Sequence, residues 1–262
     1  MNAVAERLAA LRQQKKKAFA PFVMAGYPTL ANSRELLRGY AAAGADLIEV
    51  GLPFSDPLAD GPVNQEAAQV ALAAGAEIKS IFGMIAATAP TLDCPLLLFT
   101  YFNPILQHGI PGFMQDAAEA GFAGLIVPDL PPEAAEELRA EAEKLRLGMA
   151  FLTAPTSPPA RIRIAGRAST AFLYAVSVRG VTGERSSLPR DLPDFMKRIR
   201  ENSECPVLIG FGISGPEQAR QAAALADGVI VASALVRLAG QRGVEASCAL
   251  AREIRAAMFS AV

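Results

Sequence analysis

The sequence contains few of the side chains that bind metals or form disulfides. His108 is the one histidine among 262 residues, which excludes a multi-histidine metal centre. The three cysteines, Cys94, Cys205 and Cys248, are scattered and include no C-x-x-C pair. Such cysteine usage is typical of a reducing compartment and argues against a disulfide framework or a cysteine-rich zinc site. We therefore expect a cytoplasmic protein without a metal centre.

Charge and long apolar runs are also scarce. Only 19% of the residues are charged and the formal net charge is −1, so we expect neither nucleic acid nor an anionic membrane as the main partner. No apolar stretch reaches the roughly 18 uncharged residues that a membrane span needs. An amphipathic N-terminal helix precedes Lys15–Lys17, which reverses the order of a secretory signal. The hydrophobic share of 52% excludes a disordered chain.

Short apolar runs alternate with helical patterns along the whole chain. The runs lie near 19–24, 46–51, 95–99, 123–127, 148–152, 171–176, 206–210 and 227–231. They do not alternate apolar with polar residues, so both faces of each strand should be buried, as in a parallel sheet. Units of about 33 residues, each a strand and a crossover helix, predict one (β/α)8 TIM barrel domain over residues 1–262. We expect an extra N-terminal helix and active-site loops after strands 2 and 6. An open doubly wound sheet is the alternative, but no G-x-G-x-x-G follows the first strand.

Two of the helices carry explicit end signals. Residues 132–146 predict a helix with Pro132 in its first turn and an apolar stripe along one face. The S-x-x-E pattern of Ser214 and Glu217 predicts a capping box at the start of another helix.

Two carboxylates lie near the C-terminal ends of predicted strands, which is where barrels of this kind have their active sites. Glu49 lies inside the second strand, where burial would raise its pKa and suit it to general acid–base catalysis. A salt-bridged structural glutamate explains the pattern equally well. Asp60 follows in a loop that is long for a strand-to-helix connection, and such loops are usually functional or disordered. Asp56 in the same loop is better explained as a turn or cap residue.

Glycine-rich loops follow the last three strands and predict a phosphate site. They are Gly180–Arg185, Gly210–Gly215 and the segment before Ser233, which would open a short helix. Glycines let backbone N–H groups approach an anion, and a helix N-terminus attracts negative charge. Ordinary turn glycines are the alternative. The polar loop 177–189 suggests a lid or, alternatively, a plain surface loop. Tyr174 could offer its hydroxyl to the barrel mouth or simply be packed.

Long motifs of the chain resemble the alpha chain family of tryptophan synthase. The similarity runs in register from residues 5–7 to the last helix, and it is strongest in the segments 47–62, 127–131, 180–183 and 210–213. The resemblance implies cleavage of indole-3-glycerol phosphate to indole and glyceraldehyde 3-phosphate, a retro-aldol reaction without a metal or organic cofactor. It also implies a tryptophan synthase beta chain as partner in an alpha2-beta2 complex, which receives the indole.

The resemblance also assigns roles to residues. Glu49 matches the general acid/base, Asp60 the carboxylate that engages the indole N–H, and Asp56 a position facing the beta chain. The substrate-binding positions that it implies are Phe22, Phe99, Ile126, Leu152, Tyr174, Thr182, Gly183, Phe211, Gly212, Ile230, Ala232 and Ser233.

Four positions depart from the family pattern. Ala232 stands where glycine is usual, Asn64 where an apolar residue is common, Tyr27 where aspartate is frequent and Thr170 where glycine is frequent. The first two bear on substrate affinity and Tyr27 on partner specificity. Three alternatives stay open: a stand-alone lyase that releases indole, a non-catalytic subunit that activates a partner, and a different phosphate-binding barrel.

Overall fold

The computed structural model describes residues 1–176, 188–210 and 212–259 and shows a closed parallel barrel. Its strands are β1 (Ala18–Met24), β2 (Ile48–Gly51), β3 (Leu96–Phe99), β4 (Phe122–Ile126), β5 (Gly148–Thr153), β6 (Leu173–Val176), β7 (Val207–Gly210) and β8 (Gly228–Val231). Each strand pairs with the next one in the chain, and β1 closes the ring by pairing with β8. Every apolar run therefore forms a strand, and the predicted (β/α)8 barrel is confirmed.

Helices connect the strands on the outside of the barrel. The α-helices of the described residues are α1 (Ala3–Gln13), α2 (Leu30–Ala42), α3 (Pro62–Ala73), α4 (Ile78–Thr88), α5 (Phe102–His108), α6 (Ile110–Ala120), α7 (Glu136–Lys144), α8 (Pro159–Ala168), α9 (Leu192–Arg200), α10 (Pro216–Leu225), α11 (Ser233–Arg242) and α12 (Val244–Phe259). Single 3-10 turns cover Ala89–Thr91 and Pro132–Ala134. None of these helices alone is long and apolar enough to cross a bilayer. Among the described residues, one pair, Pro62–Ala73 and Ile78–Thr91, reaches that length and apolar content when taken together, but the two segments are bent by 101°.

The extra N-terminal helix α1 covers the end of the barrel at which the strands begin. Its apolar face, Val4, Leu8 and Leu11, joins the cluster of side chains inside the barrel. Asn2 caps the helix by accepting a hydrogen bond from the Ala5 N–H, and its Nδ2 donates to the Thr170 carbonyl at 3.0 Å. The helix therefore packs its apolar face against the interior of the barrel at this end.

The core has two layers that follow from the pleat of the strands. Alternate side chains point into the barrel, such as Phe22, Leu97 and Ile126, and pack there as one cluster. The intervening side chains, such as Val23 and Leu98, pack against the helices as a second cluster. Both faces of each strand are therefore buried, as in other parallel sheets.

The predicted helix over 132–146 is wrong at its start. Pro132–Ala134 forms a separate 3-10 turn, and α7 begins only at Glu136. In this tighter turn the Ala135 N–H donates a hydrogen bond to the Pro132 carbonyl, three residues back, and not to a carbonyl four residues back as in an α-helix. The apolar stripe survives, because Leu138 and Ala142 are buried as predicted.

The predicted capping box of Ser214 and Glu217 is also wrong, by one residue. The helix α10 begins at Pro216 with Gly215 as its cap, so the position three residues after the cap is Gln218. The Gln218 Oε1 accepts hydrogen bonds from the Ser214 N–H at 2.7 Å and from the Ser214 hydroxyl at 2.8 Å. Glu217 instead pairs with Arg220 on the helix surface.

Candidate active site

Glu49 lies in the middle of β2 and points into the barrel. Its Cα is in register with those of Phe22 on β1 and Leu97 on β3, two residues whose side chains also fill the interior. Glu49 is 2% exposed, and its Oε2 is buried with no hydrogen-bond partner among the described residues. Burial and, secondarily, the negative charge of Asp60 raise the pKa of Glu49 to about 8. The salt-bridged alternative finds no support, because no described cation pairs with this carboxyl.

Asp60 is held in place by side chains from two different elements. Its Oδ2 accepts a hydrogen bond of 2.8 Å from the Tyr101 hydroxyl, and its Oδ1 accepts one of 3.3 Å from the Asn64 Nδ2. The same Tyr101 oxygen accepts from the Ala59 N–H at 3.0 Å, which fixes the loop just before Asp60. Asp60 is 4% exposed, and burial raises its pKa although both hydrogen bonds act to lower it. The two carboxyl groups thus form an interacting pair at one end of the barrel.

Tyr174 faces the same pair from the opposite side of the barrel, on β6. Burial raises the pKa of its hydroxyl well above the usual value, and the charges of Glu49 and Asp60 raise it further. Its ring lies against the backbone of Gly210 on the neighbouring strand β7, and a Cβ at that position would overlap the ring. A side chain at position 210 would therefore force the Tyr174 ring to move.

The predicted apolar substrate positions come together as one surface. The interior cluster contains Phe22, Phe99, Ile126 and Ile230, with half-buried Leu152 packed against it. Phe22 and Phe99 meet edge to face, with ring centroids 6.1 Å apart. These side chains come from five different strands, so closure of the barrel brings them into one apolar cluster, and Phe22 is in register with Glu49.

The predicted phosphate positions that the structure describes lie at the ends of the adjacent strands β7 and β8. Gly212 has a φ of +80°, a backbone conformation that favours glycine. Ser233 is the first residue of α11, and Ala232 is its N-cap. Ala232 has a φ of −114°, so this position does not need the positive φ that favours glycine. The helix α11 thus begins directly after β8, and a helix N-terminus attracts negative charge.

Several predicted features lie outside the described residues. They are Thr182, Gly183 and Phe211 and most of the predicted lid, since the structure does not describe residues 177–187 or 211. The roles predicted for them stay predictions.

Three other positions singled out in the sequence, Thr170, Tyr27 and Asp56, each have a defined contact in the structure. Thr170 lies at the opposite end of the barrel, where its Oγ1 accepts the Met149 N–H at 2.9 Å. The Tyr27 side chain packs against Gly240 of α11. Asp56 is exposed in the loop after β2, where its carboxylate accepts from the Ser55 hydroxyl at 2.5 Å.

Sequence reasoning missed Tyr101, and it treated Asn64 only as a departure. Tyr101 follows β3 by two residues, and its ring packs against those of Phe54 and Phe99 at centroid distances of 5.3 and 6.1 Å. The available signal was its position at the C-terminal end of a strand. Within the described parts of the chain, no group of three or more His, Cys, Asp and Glu side chains is placed to hold a metal ion.

A parallel barrel with two buried, interacting carboxyl groups at its open end defines an enzyme of the general acid–base class. Comparison with known proteins makes this specific. The family model described as "Tryptophan synthase alpha chain" matches residues 8–260. The tryptophan synthase alpha chain of Carboxydothermus hydrogenoformans is 48% identical, over 91% of this chain and 89% of the relative. That of Synechococcus elongatus is 44% identical, over 98% and 97% of the two chains.

Solved structures agree with the sequence comparisons. A chain of Mycobacterium tuberculosis tryptophan synthase superposes with a TM-score of 0.92 at 36% identity, covering 99% of both chains. The protein therefore belongs to the tryptophan synthase alpha chain family. It is a lyase that cleaves indole-3-glycerol phosphate to indole in tryptophan biosynthesis.

Proposed function

We propose that Glu49 transfers the protons of this lyase reaction and that Asp60 stabilises the indole ring while the carbon–carbon bond breaks. The observation that carries the proposal is the Glu49 carboxyl, which is buried at the barrel mouth with an unpaired Oε2 among the described residues and a pKa of about 8. Such a group is mostly protonated at pH 7 and still loses its proton readily. It is therefore suited both to donating and to accepting a proton.

The two proton transfers balance. Glu49 donates a proton to C3 of the indole ring, and the ring nitrogen becomes cationic. A base then removes the proton from the hydroxyl group on the adjacent side-chain carbon. The O–H electrons form the carbonyl of glyceraldehyde 3-phosphate, the carbon–carbon bond breaks, and its electron pair returns to the ring to give neutral indole. Glu49, now a carboxylate, is the base in this second step and recovers the proton that it gave.

Asp60 supplies the negative charge that this intermediate needs. Protonation at C3 makes the ring N–H more acidic, so a carboxylate that accepts its hydrogen bond stabilises the transition state more than the ground state. Tyr101 and Asn64 hold the Asp60 carboxyl in place before the reaction begins. A charge held in place in a buried site is worth more than one in water because no solvent must reorganise. The charge on Asp60 also favours the protonated form of Glu49.

The rest of the substrate is bound away from the breaking bond. We propose that the apolar cluster around Phe22 and Phe99 takes the indole ring. The phosphate would bind at Gly212 and at the start of α11, with Thr182, Gly183 and Phe211 completing the site. Binding energy from the phosphate would then orient the reacting carbon atoms against Glu49.

We further propose that the chain works in the cytoplasm with a tryptophan synthase beta chain, in an alpha2-beta2 complex that receives the indole. The loop after β2, which carries Asp56, exposes Leu58 to 84%, and Leu106 on the nearby α5 is 49% exposed. In this proposal both leucines belong to the surface that contacts the beta chain. All three cysteines are free thiols, which suits a reducing compartment.

The test is cleavage of indole-3-glycerol phosphate by the purified chain, alone and with a tryptophan synthase beta chain. The proposal predicts weak activity alone and strong stimulation by the partner. Full activity that the partner does not change would indicate a stand-alone lyase. An inactive chain that only stimulates the beta chain would indicate an activating subunit. No use of this substrate in either condition, by folded protein, would indicate a different phosphate-binding barrel.

A further inference from the structure

The first turn of α3 presents a buried amide to the Asp60 carboxyl. Asn64 is 3% exposed, and its Nδ2 lies 3.3 Å from the Asp60 Oδ1. The Asn64 Oδ1 is buried as well, and no donor in the described part of the chain reaches it. Its helix neighbours on the same side, Ala67 and Ala68, are buried in the apolar cluster at the barrel interior. A buried amide that is only partly hydrogen-bonded costs stability, so packing alone does not account for asparagine here.

Asn64 donates to the Asp60 oxygen that Tyr101 does not contact. Tyr101 donates to one carboxylate oxygen from the segment after β3, whereas Asn64 donates to the other oxygen from α3. A single donor would let the carboxyl plane rotate about that bond. Two donors on two rigid elements fix both the position of the carboxyl and its plane.

The titratable groups around Asp60 show why a second donor matters. Glu49 on β2, Tyr101 after β3 and Tyr174 on β6 all interact electrostatically with it. No described cation bonds the Asp60 carboxyl, so hydrogen bonds are what favour its ionised form against burial. The bonds from Tyr101 and Asn64 both lower the pKa of Asp60, while burial raises it.

We propose that Asn64 is a positioning residue, which holds the Asp60 carboxyl in the ionised form and in the plane that faces the substrate's ring N–H. The inference rests on the proposed role of Asp60. It makes Asn64 part of the catalytic arrangement of this chain, acting through Asp60 and not through contact with the substrate.

The test compares Asn64→Leu, whose side chain has the same branching and the same number of heavy atoms but no donor, with the wild type. We expect kcat to fall about tenfold, the size of one hydrogen bond to a charged group, while KM changes little. Loss of the donor raises the pKa of Asp60, so the acid limb of the kcat/KM profile should move to higher pH. Tyr101→Phe removes the other donor and should move the limb in the same direction. Gln69→Leu, an exposed amide on the same helix, is the matched control and should change neither.

Three results would overturn the inference. An unchanged acid limb in Asn64→Leu would show that the amide does not act on Asp60. Lower activity with an unshifted pH profile would show a merely structural role, as would an equal effect of Gln69→Leu. Asn64→Asp is the second variant; it should shift the limb further to high pH because a second carboxylate faces Asp60. If the wild type itself does not cleave the substrate, the proposed function fails; if it does and the variants keep its pH profile, only this inference fails.

Discussion

Replacing Glu49 by glutamine should stabilise the protein at high pH and have much less effect at low pH. In the folded state the pKa of Glu49 is about 8, compared with 4.5 for an unperturbed glutamate. Because the folded-state pKa is raised, the unfolded chain ionises first as pH increases, and stability is lost between pH 4.5 and pH 8. Glutamine has no such ionisation, so the variant escapes the penalty.

The size of this penalty follows from the two pKa values. A rise from 4.5 to about 8 corresponds to about 5 kcal/mol at about 1.4 kcal/mol per pH unit, of which about 4 kcal/mol is expressed between pH 5 and pH 9. Glu49 is buried, so solvent screening does not reduce this figure in the static structure. Water that enters the barrel mouth on ionisation would reduce it, and about 4 kcal/mol is therefore an upper limit.

Urea unfolding of both proteins at pH 5 and pH 9 measures the effect. The difference in unfolding free energy between Glu49→Gln and wild type should grow by several kcal/mol from pH 5 to pH 9. Contributions from other titrating groups cancel in this comparison, and the exposed Glu253→Gln is the matched control for removing a carboxylate. A difference that stays constant within about 1 kcal/mol would refute the burial argument, since each pH unit of pKa shift is worth about that much.

Three further predictions follow from the same geometry. The alkaline limb of the wild-type kcat/KM profile should fall near pH 8, because Glu49 must start protonated; a profile flat to pH 9.5 would contradict this. Gly210→Ala should leave the circular dichroism spectrum intact but displace the Tyr174 ring and reduce kcat, and normal turnover with the ring unmoved in a crystal structure would show that the fit is looser than described. Asp46→Ala should cost about 3 kcal/mol and lower the Tm, because it removes the carboxylate that Arg255 contacts at 2.7 Å; an unchanged Tm would mean that this buried pair contributes nothing.

The barrel was predictable because its signal is local and repeated. Each strand is a short apolar run that stands between helical segments, and burial of both faces removes the need for a polar alternation. Helix ends were less predictable. Pro132 is compatible with either an α-helical or a 3-10 first turn, and the choice decided where α7 begins. Ser214 missed its predicted capping role because the helix begins one residue later, so Gln218 takes the partner position.

The candidate site was predictable only in part, because some of the residues that meet there are far apart in the sequence. Glu49 and Asp60 lie on one strand and the loop that follows it, so the sequence itself places them near each other. Tyr101 is 41 residues from Asp60, and its hydrogen bond depends on how β3 sits beside β2. Asn64 is only four residues from Asp60, but a helical spacing does not tell which face of the first turn meets the carboxyl. Contacts of this kind require the three-dimensional structure.

The central claim is that Glu49 carries the proton transfers, and single-turnover cleavage of indole-3-glycerol phosphate tests it most directly. Wild type and Glu49→Gln should be compared at pH 7, with a beta chain present and with folding verified by circular dichroism. The account predicts that the variant binds the substrate but cleaves it at least about 10²–10⁴-fold more slowly, the usual contribution of a positioned acid–base group. Near-normal cleavage by a folded Glu49→Gln protein would contradict it.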